Sequence, residues 1–194
     1  MGQLSSHFTF VERLIGLGLS KVVGLGTMHE LGPVSGLVAE DIVPQPQNQY
    51  GIAKNALRAA LQELCQRKEI DFLWLRCFYI LGDDARNSSV FTKMLELEAA
   101  GASEMPLTTG LTRFDFIDVA QLGKLIAQTS SIEGLNGLLN VGSGQVMSLR
   151  ERIEKFKNEN QLSIELQFGV FPERQGISEG CWPDLSRMNS ALGM

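Results

Sequence analysis

Cysteine is scarce in this sequence of 194 residues, and the three that occur lie far apart. Cys65, Cys77 and Cys181 form no CxxC pair, and an odd number without metal-ligand spacing argues against a disulfide framework and against a structural zinc site. We therefore expect reduced, buried thiols in a reducing compartment, and no bound metal.

Long apolar runs and an excess of basic residues are also absent. No run approaches the roughly 20 residues of a membrane-spanning helix, and the N-terminal residues lack the basic stretch and apolar core of a signal peptide. Seventeen lysines and arginines stand against 22 aspartates and glutamates, a formal net charge of −5, which argues against a nucleic-acid surface. With 44% hydrophobic residues, the composition predicts a soluble, cytoplasmic globular protein that binds neither nucleic acid nor membrane.

Helical and extended segments alternate along the chain. Apolar residues recur at helical spacing in residues 8–15, and a strong helix is predicted from Gln49 to Arg67. Apolar runs at 21–26 and 72–79 are typical of buried parallel strands. Further helices are predicted at 90–100, 119–127 and 149–156 and near the C-terminus, and further strands at 114–117, 137–141 and 164–168. This alternation predicts a mostly parallel α/β sheet whose strands end on one ligand-binding edge.

The main chemical signal is a tyrosine and a lysine four residues apart, Tyr50 and Lys54. At that spacing both side chains lie on the same helix face. A phenol with the ordinary pKa of about 10 is a poor base at neutral pH, but a neighbouring ammonium favours the phenolate. Such a pair can remove a proton from a hydroxyl while hydride leaves the same carbon. By itself the pair also occurs by chance on surface helices, but Thr27 adds a hydroxyl at the end of the first strand, where a long loop (27–47) begins.

The order of these features resembles that of the NAD(P)-dependent epimerase/dehydratase family, the extended short-chain dehydrogenases. A strand that ends in Thr27 precedes a loop, the Tyr50-x-x-x-Lys54 helix, and a strand that ends in Leu75-Arg76-Cys77-Phe78. Three later segments also resemble family segments: Phe114–Val119, Leu139–Gly144 and Arg174–Arg187. The resemblance spans nearly the whole chain in the family's order.

The resemblance implies a doubly wound, Rossmann-like, mostly parallel sheet with a small α/β substrate lobe. It divides the chain into residues 1–82, the remainder of the dinucleotide-binding domain, and residues 83–194, mainly the substrate lobe, from which about 114–141 return to the sheet. It further implies NAD or NADP as cofactor and a nucleotide-sugar-like small molecule as substrate.

The resemblance also assigns roles to residues. Tyr50 would be the catalytic acid/base, Lys54 would hold the nicotinamide ribose, and Thr27 would orient the substrate oxygen. Gly26 and Phe78 would join these three at the cofactor, and the substrate would contact Thr27, Tyr79, Asn87, Arg113 and Arg174. Met28 and His29 stand where the family's dehydratases carry Asp-Glu, and methionine cannot transfer a proton. Epimerisation or keto-sugar reduction is therefore favoured over dehydration.

The family's opening strand, GxxGxxG turn and pyrophosphate-binding helix have no counterpart before Thr27. The glycines of 16–18 follow a helix and those of 24–26 lead into a loop, so neither pair has the order that the motif requires. We therefore expect the sheet to lack its first strands, and the unpaired edge of strand 21–26 would favour homo-oligomerisation.

Two interpretations remain open from the sequence. The first is an NAD(P)-dependent nucleotide-sugar epimerase or keto-sugar reductase. The second is a truncated, non-catalytic relative, an interaction module that does not bind the dinucleotide alone.

Overall fold

The computed structural model describes residues 2–82, 89–173 and 179–194. The helices are α1 (Gly2–Gly16), α2 (Gln49–Arg67), α3 (Val90–Ala99), α4 (Val119–Ser131), α5 (Leu149–Glu159) and α6 (Ser186–Leu192). The strands are β1 (Lys21–Thr27), β2 (Gly36–Val38), β3 (Asp71–Cys77), β4 (Tyr79–Leu81), β5 (Glu104–Pro106), β6 (Arg113–Asp118), β7 (Gly137–Val141), β8 (Val146–Ser148), β9 (Glu165–Gln167) and β10 (Gly180–Pro183). Among the described residues, no helix combines the length and apolar character needed to cross a membrane.

A three-stranded parallel sheet in the order β1-β3-β7 forms the centre of the fold. Its register brings the carboxyl ends of the strands together, with Thr27 opposite Cys77 and Cys77 opposite Val141. The predicted mostly parallel, Rossmann-like sheet is confirmed. Within the described ranges β1 pairs only with β3, so its other edge is unpaired, as predicted.

Helices cover both faces of this sheet. Because successive side chains of a strand point to opposite faces, Trp74 contributes to the core beneath α1 and α2, whereas Leu75 contributes to the core beneath α4 and α6. Burial on both faces is the usual state of a parallel sheet and explains why β3 is an almost continuous apolar run. On the edge strand β1, Leu25 remains 44% exposed.

The remaining strands form two further sheets, one of five strands and one of two. β2, β10, β6 and β4 are parallel in that order, β8 runs antiparallel to β6, and β5 pairs with β9. A separate buried cluster that includes Phe91, Phe116 and Ile153 joins α3, β6 and α5. This cluster packs the two helices against the sheet that contains β6.

The structure corrects the sequence-based assignment at the short strands. The strand predicted over 72–79 ends at Cys77, and Tyr79 begins β4, which pairs with β6 of the second sheet. Strands β2, β5, β8 and β10 were not predicted, because three or four residues are too few to show an alternating pattern. Helix α2 has the predicted bounds, and the three cysteines are free and buried, as predicted.

Candidate active site

Thr27 ends β1 at the edge where the central strands terminate. Only 8% of its surface is exposed, and it lines a cleft between this edge and helices α3 and α5. At the same edge, burial raises the pKa of Cys77 to about 11. This thiol therefore stays protonated at neutral pH and is not a nucleophile.

Lys54 connects helix α2 to the end of β1. Its Nζ donates a hydrogen bond to the Leu25 carbonyl oxygen at 2.9 Å, two residues before Thr27. Tyr50 lies one turn earlier on α2, in the first turn of the helix, and is 54% exposed. The helix begins at this point because the Asn48 side chain caps it, accepting a 2.8 Å hydrogen bond from the Gly51 backbone N–H.

A short 3₁₀ turn, residues 28–30, follows Thr27 along the chain and contacts Tyr50 in space. The turn packs directly on α2, since a Cβ added at Gly51 would lie 2.2 Å from the His29 carbonyl oxygen. The His29 and Tyr50 rings meet edge to face, with centroids 5.9 Å apart. His29, which the sequence analysis left without a role, lines the cleft together with Thr27.

The turn is held by a buried carboxylate that the sequence analysis did not single out. Glu30 accepts a 2.8 Å hydrogen bond from the Thr27 backbone N–H and is contacted by the Trp74 indole Nε1 at 3.1 and 3.2 Å. Thr27 and Glu30 together form a capping box around the turn. The Thr-x-x-Glu spacing of that motif is a signal that could have identified Glu30 from the sequence.

Glu30 is also paired with a buried arginine. The Arg76 Nε lies 3.7 Å from Glu30 Oε2, and both side chains are 0% exposed. Burial lowers the pKa of Arg76, and the charge of Glu30 opposes that change. Within the described part of the chain, the three guanidinium nitrogens have no hydrogen-bond partner. The site therefore includes an ion pair that is isolated from solvent.

The cleft itself has a volume of about 710 Å³. Its lining is mainly apolar, and three predicted residues, Thr27, Phe78 and Tyr79, belong to it. The Tyr79 ring packs on the rings of Phe114 and Phe116, with centroids 5.3 and 4.7 Å away. Small-molecule sites are typically concave and apolar with a few polar groups, and this cleft has that character.

The structure does not bring every predicted residue into the cleft. Among the described residues that line it, neither Tyr50 nor Lys54 is included. Gly26 is buried against Trp74 and Glu30, where an added Cβ would lie 2.2 Å from Trp74 Nε1 and 2.6 Å from Glu30 Oε1. Arg113 is exposed, and its guanidinium lies 5.5 Å from the Trp182 ring centroid; the neighbouring Phe114 lines the cleft in its place. Two predicted substrate contacts, Asn87 and Arg174, lie outside the described residues.

Together, the fold and the site define a class: an open parallel α/β protein with a threonine, tyrosine and lysine near the carboxyl ends of its strands. Residues 6–142 match the model of the NAD dependent epimerase/dehydratase family, and the chain belongs to that family.

Relatives with known activities support this membership. The chain is 36% identical over 183 residues to dTDP-6-deoxy-L-talose 4-dehydrogenase (NAD(+)) of Aggregatibacter actinomycetemcomitans. This alignment covers 94% of this chain and 67% of that protein. It also resembles the structure of UDP-glucuronic acid 4-epimerase from Bacillus cereus in complex with NAD, with a TM-score of 0.81, 19% identity, and coverage of 96% of this chain and 59% of that one.

A third similar structure contains NADPH. The structure of RMD from Pseudomonas aeruginosa complexed with NADPH has a TM-score of 0.80 at 20% identity, covering 95% of this chain and 64% of that one. This chain thus spans about 60% of the length of both solved structures. The talose dehydrogenase relative is named for NAD(+), and the two solved structures contain NAD and NADPH.

Proposed function

We propose that this chain carries the catalytic residues of an NAD(P)-dependent nucleotide-sugar epimerase or keto-sugar reductase, with Tyr50 as the acid/base. One observation supports this most strongly: the hydrogen bond of Lys54 to the Leu25 carbonyl. It fixes the helix of the tyrosine and lysine against the end of the strand that carries Thr27.

The residues present fit the nicotinamide side of such a cofactor. The Lys54 ammonium has three N–H donors, of which one is used by Leu25, and the other N–H groups would donate to ribose hydroxyls. Phe78 lines the cleft beside Thr27. The bound nicotinamide would supply hydride transfer at the reacting sugar carbon. The sequence holds no GxxGxxG turn, so no residues in this chain are assigned to the pyrophosphate.

The three proposed catalytic residues divide the proton chemistry. In the oxidative direction the Tyr50 phenolate accepts the proton of the sugar hydroxyl, and in the reductive direction the phenol returns it. The Thr27 hydroxyl hydrogen-bonds the reacting oxygen. Met28 follows Thr27 and lines the cleft, and its thioether cannot supply the additional acid or base that dehydration requires.

The substrate we propose is a nucleotide sugar. A relative that is 36% identical to this chain over 183 residues is a dehydrogenase of a dTDP-linked 6-deoxy sugar, and a structural relative is an epimerase of a UDP-linked sugar. In both, the reacting carbon is the sugar C4 position, which is consistent with one acid/base serving both reactions.

The first experiment measures dinucleotide binding to the purified, monodisperse chain by calorimetry, with NAD and NADP in turn. Lys54→Met should weaken binding about 10- to 100-fold, because it removes charged hydrogen bonds. Lys68→Met, which removes the same charge at the opposite end of α2, is the matched control and should bind normally. A folded wild-type chain that binds neither dinucleotide would refute the enzyme proposal and leave the non-catalytic interaction module.

The second experiment measures turnover of dTDP-6-deoxy-L-talose and UDP-glucuronic acid through the absorbance of the reduced nicotinamide and through product analysis. Tyr50→Phe should lower kcat by about 10²- to 10⁴-fold, the usual contribution of a general acid/base, while dinucleotide binding is retained. Unchanged turnover in this variant would exclude Tyr50 as the acid/base. Sedimentation of the same samples would show whether self-association through the free edge of β1 accompanies activity.

A further inference from the structure

We infer that Glu30 is a positioning residue of the active site, whose buried carboxylate sets the placement of Thr27 relative to Tyr50. The inference rests on the proposed function, in which Thr27 and Tyr50 contact the same reacting oxygen. Nothing in the comparisons assigns a role to Glu30.

The carboxylate of Glu30 holds the backbone at the point where β1 ends. It accepts the Thr27 N–H at 2.8 Å, while the Thr27 Oγ1 accepts the His29 N–H at 3.4 Å. The hydroxyl that would orient substrate is therefore part of the same capping box as Glu30. A displaced carboxylate would release the backbone that carries that hydroxyl.

The same turn extends the effect of Glu30 to Tyr50. The His29 carbonyl rests against the backbone of Gly51, leaving no space for even a methyl group. The His29 ring also contacts the Tyr50 ring. Because this packing is between backbone groups, a shift of the turn must move the first turn of α2, with Tyr50, or open a gap beside it.

The position of Glu30 requires a carboxylate rather than a neutral side chain. Its two oxygens receive the Thr27 N–H and the Trp74 indole N–H, whereas a glutamine has a single acceptor oxygen and would add two donors. Its charge also faces Arg76 in a region without solvent. Burying an ion pair is often no better for stability than apolar side chains of similar volume, so we assign the pair a role in placement.

The test uses Glu30→Gln in the full chain and has one readout that does not depend on activity. Hydrogen exchange by NMR should show the Thr27 amide or the Trp74 indole N–H exchanging about 10- to 100-fold faster, as expected when a charged acceptor is lost. In the turnover assay, kcat should fall about 10- to 100-fold, the cost of misplacing a catalytic group by about 1 Å, with KM changing less than about threefold because the proposed ribose and sugar contacts remain.

Two further variants separate placement from stability. Leu125→Ala opens a cavity in the α4 core, away from the cleft, and should lower the melting temperature while kcat stays at the wild-type value. Glu30→Asp keeps the charge facing Arg76 but retracts the carboxylate by one methylene, so it should show the same changes to a smaller extent. It also replaces Glu30→Gln in the test if that variant does not fold.

The outcomes distinguish this inference from the proposed function. Unchanged exchange at both N–H groups, or faster exchange with unchanged kcat, would overturn the positioning role of Glu30 and leave the proposed function intact. Absence of turnover in the wild-type chain with either sugar nucleotide would instead refute the proposed function, and the exchange measurement would still decide whether Glu30 holds the turn.

Discussion

Substituting Gly51 by alanine tests the packing that joins Thr27 to Tyr50, because helix propensity and tertiary packing predict opposite signs. In a helix interior, alanine is favoured over glycine by about 0.5–1 kcal/mol. In this structure, however, the new Cβ would lie 2.2 Å from the His29 carbonyl oxygen and 2.8 Å from its carbonyl carbon. These are backbone atoms, which cannot rotate away as a flexible side chain can. Overpacking of this kind costs about 1–3 kcal/mol, so we expect a net loss of about 1–2 kcal/mol.

Gly123 provides a matched control within the same chain. It lies inside α4, and nothing stands within 4 Å of an added Cβ. Gly123→Ala should therefore show the helix-propensity gain alone, about 0.5–1 kcal/mol. Urea unfolding followed by circular dichroism would measure both variants, with equal m-values required for the comparison. A Gly51→Ala protein as stable as Gly123→Ala would refute the proposed contact between the turn and α2.

Three further predictions concern the sheet and its edges. Burial raises the pKa of Cys77 and of Cys181 to about 11, so the folded state keeps thiol protons that the unfolded state releases. The contribution of each thiol to the free energy of unfolding should be fully present below about pH 9 and should be lost between about pH 9 and 11, by roughly 2–3 kcal/mol per thiol. In urea titrations, the variant with both cysteines replaced by alanine should lose less stability over the same pH range. Asp115→Ala should lower the free energy of unfolding by about 2–3 kcal/mol, because this buried carboxylate accepts two backbone N–H groups at 2.7 and 2.8 Å. Asp118→Ala removes only an exposed helix cap and should lower it by about 1 kcal/mol. Equal losses in chemical denaturation would contradict this ranking. Leu75→Ala should lower the free energy of unfolding by about 2–5 kcal/mol, because it opens a cavity in the fully buried core. A melting temperature close to that of the wild type would contradict the placement of Leu75 in that core.

The sequence alone determined the features that depend on neighbours along the chain. Helix α2 has its predicted bounds because Asn48 provides a cap and the apolar positions repeat with helical period. Strand β3 is recognisable because burial on both faces makes it continuously apolar. The family resemblance singled out Thr27, Tyr50 and Lys54, and their catalytic roles stay predictions. In the structure, Lys54 donates a hydrogen bond to the Leu25 carbonyl of β1.

Only the tertiary structure decided which distant residues meet. Glu30 contacts Trp74, 44 positions away, and no local pattern records that pairing. The Arg113 guanidinium lies 5.5 Å from the centroid of the Trp182 ring because β10 pairs beside β6, and its contact with substrate stays a prediction. Tyr79 lies in the second sheet because the chain changes sheets at Phe78. Local periodicity reflects the chain's immediate neighbours, whereas these contacts depend on strand order and on side chains that become adjacent only once the sheets have formed.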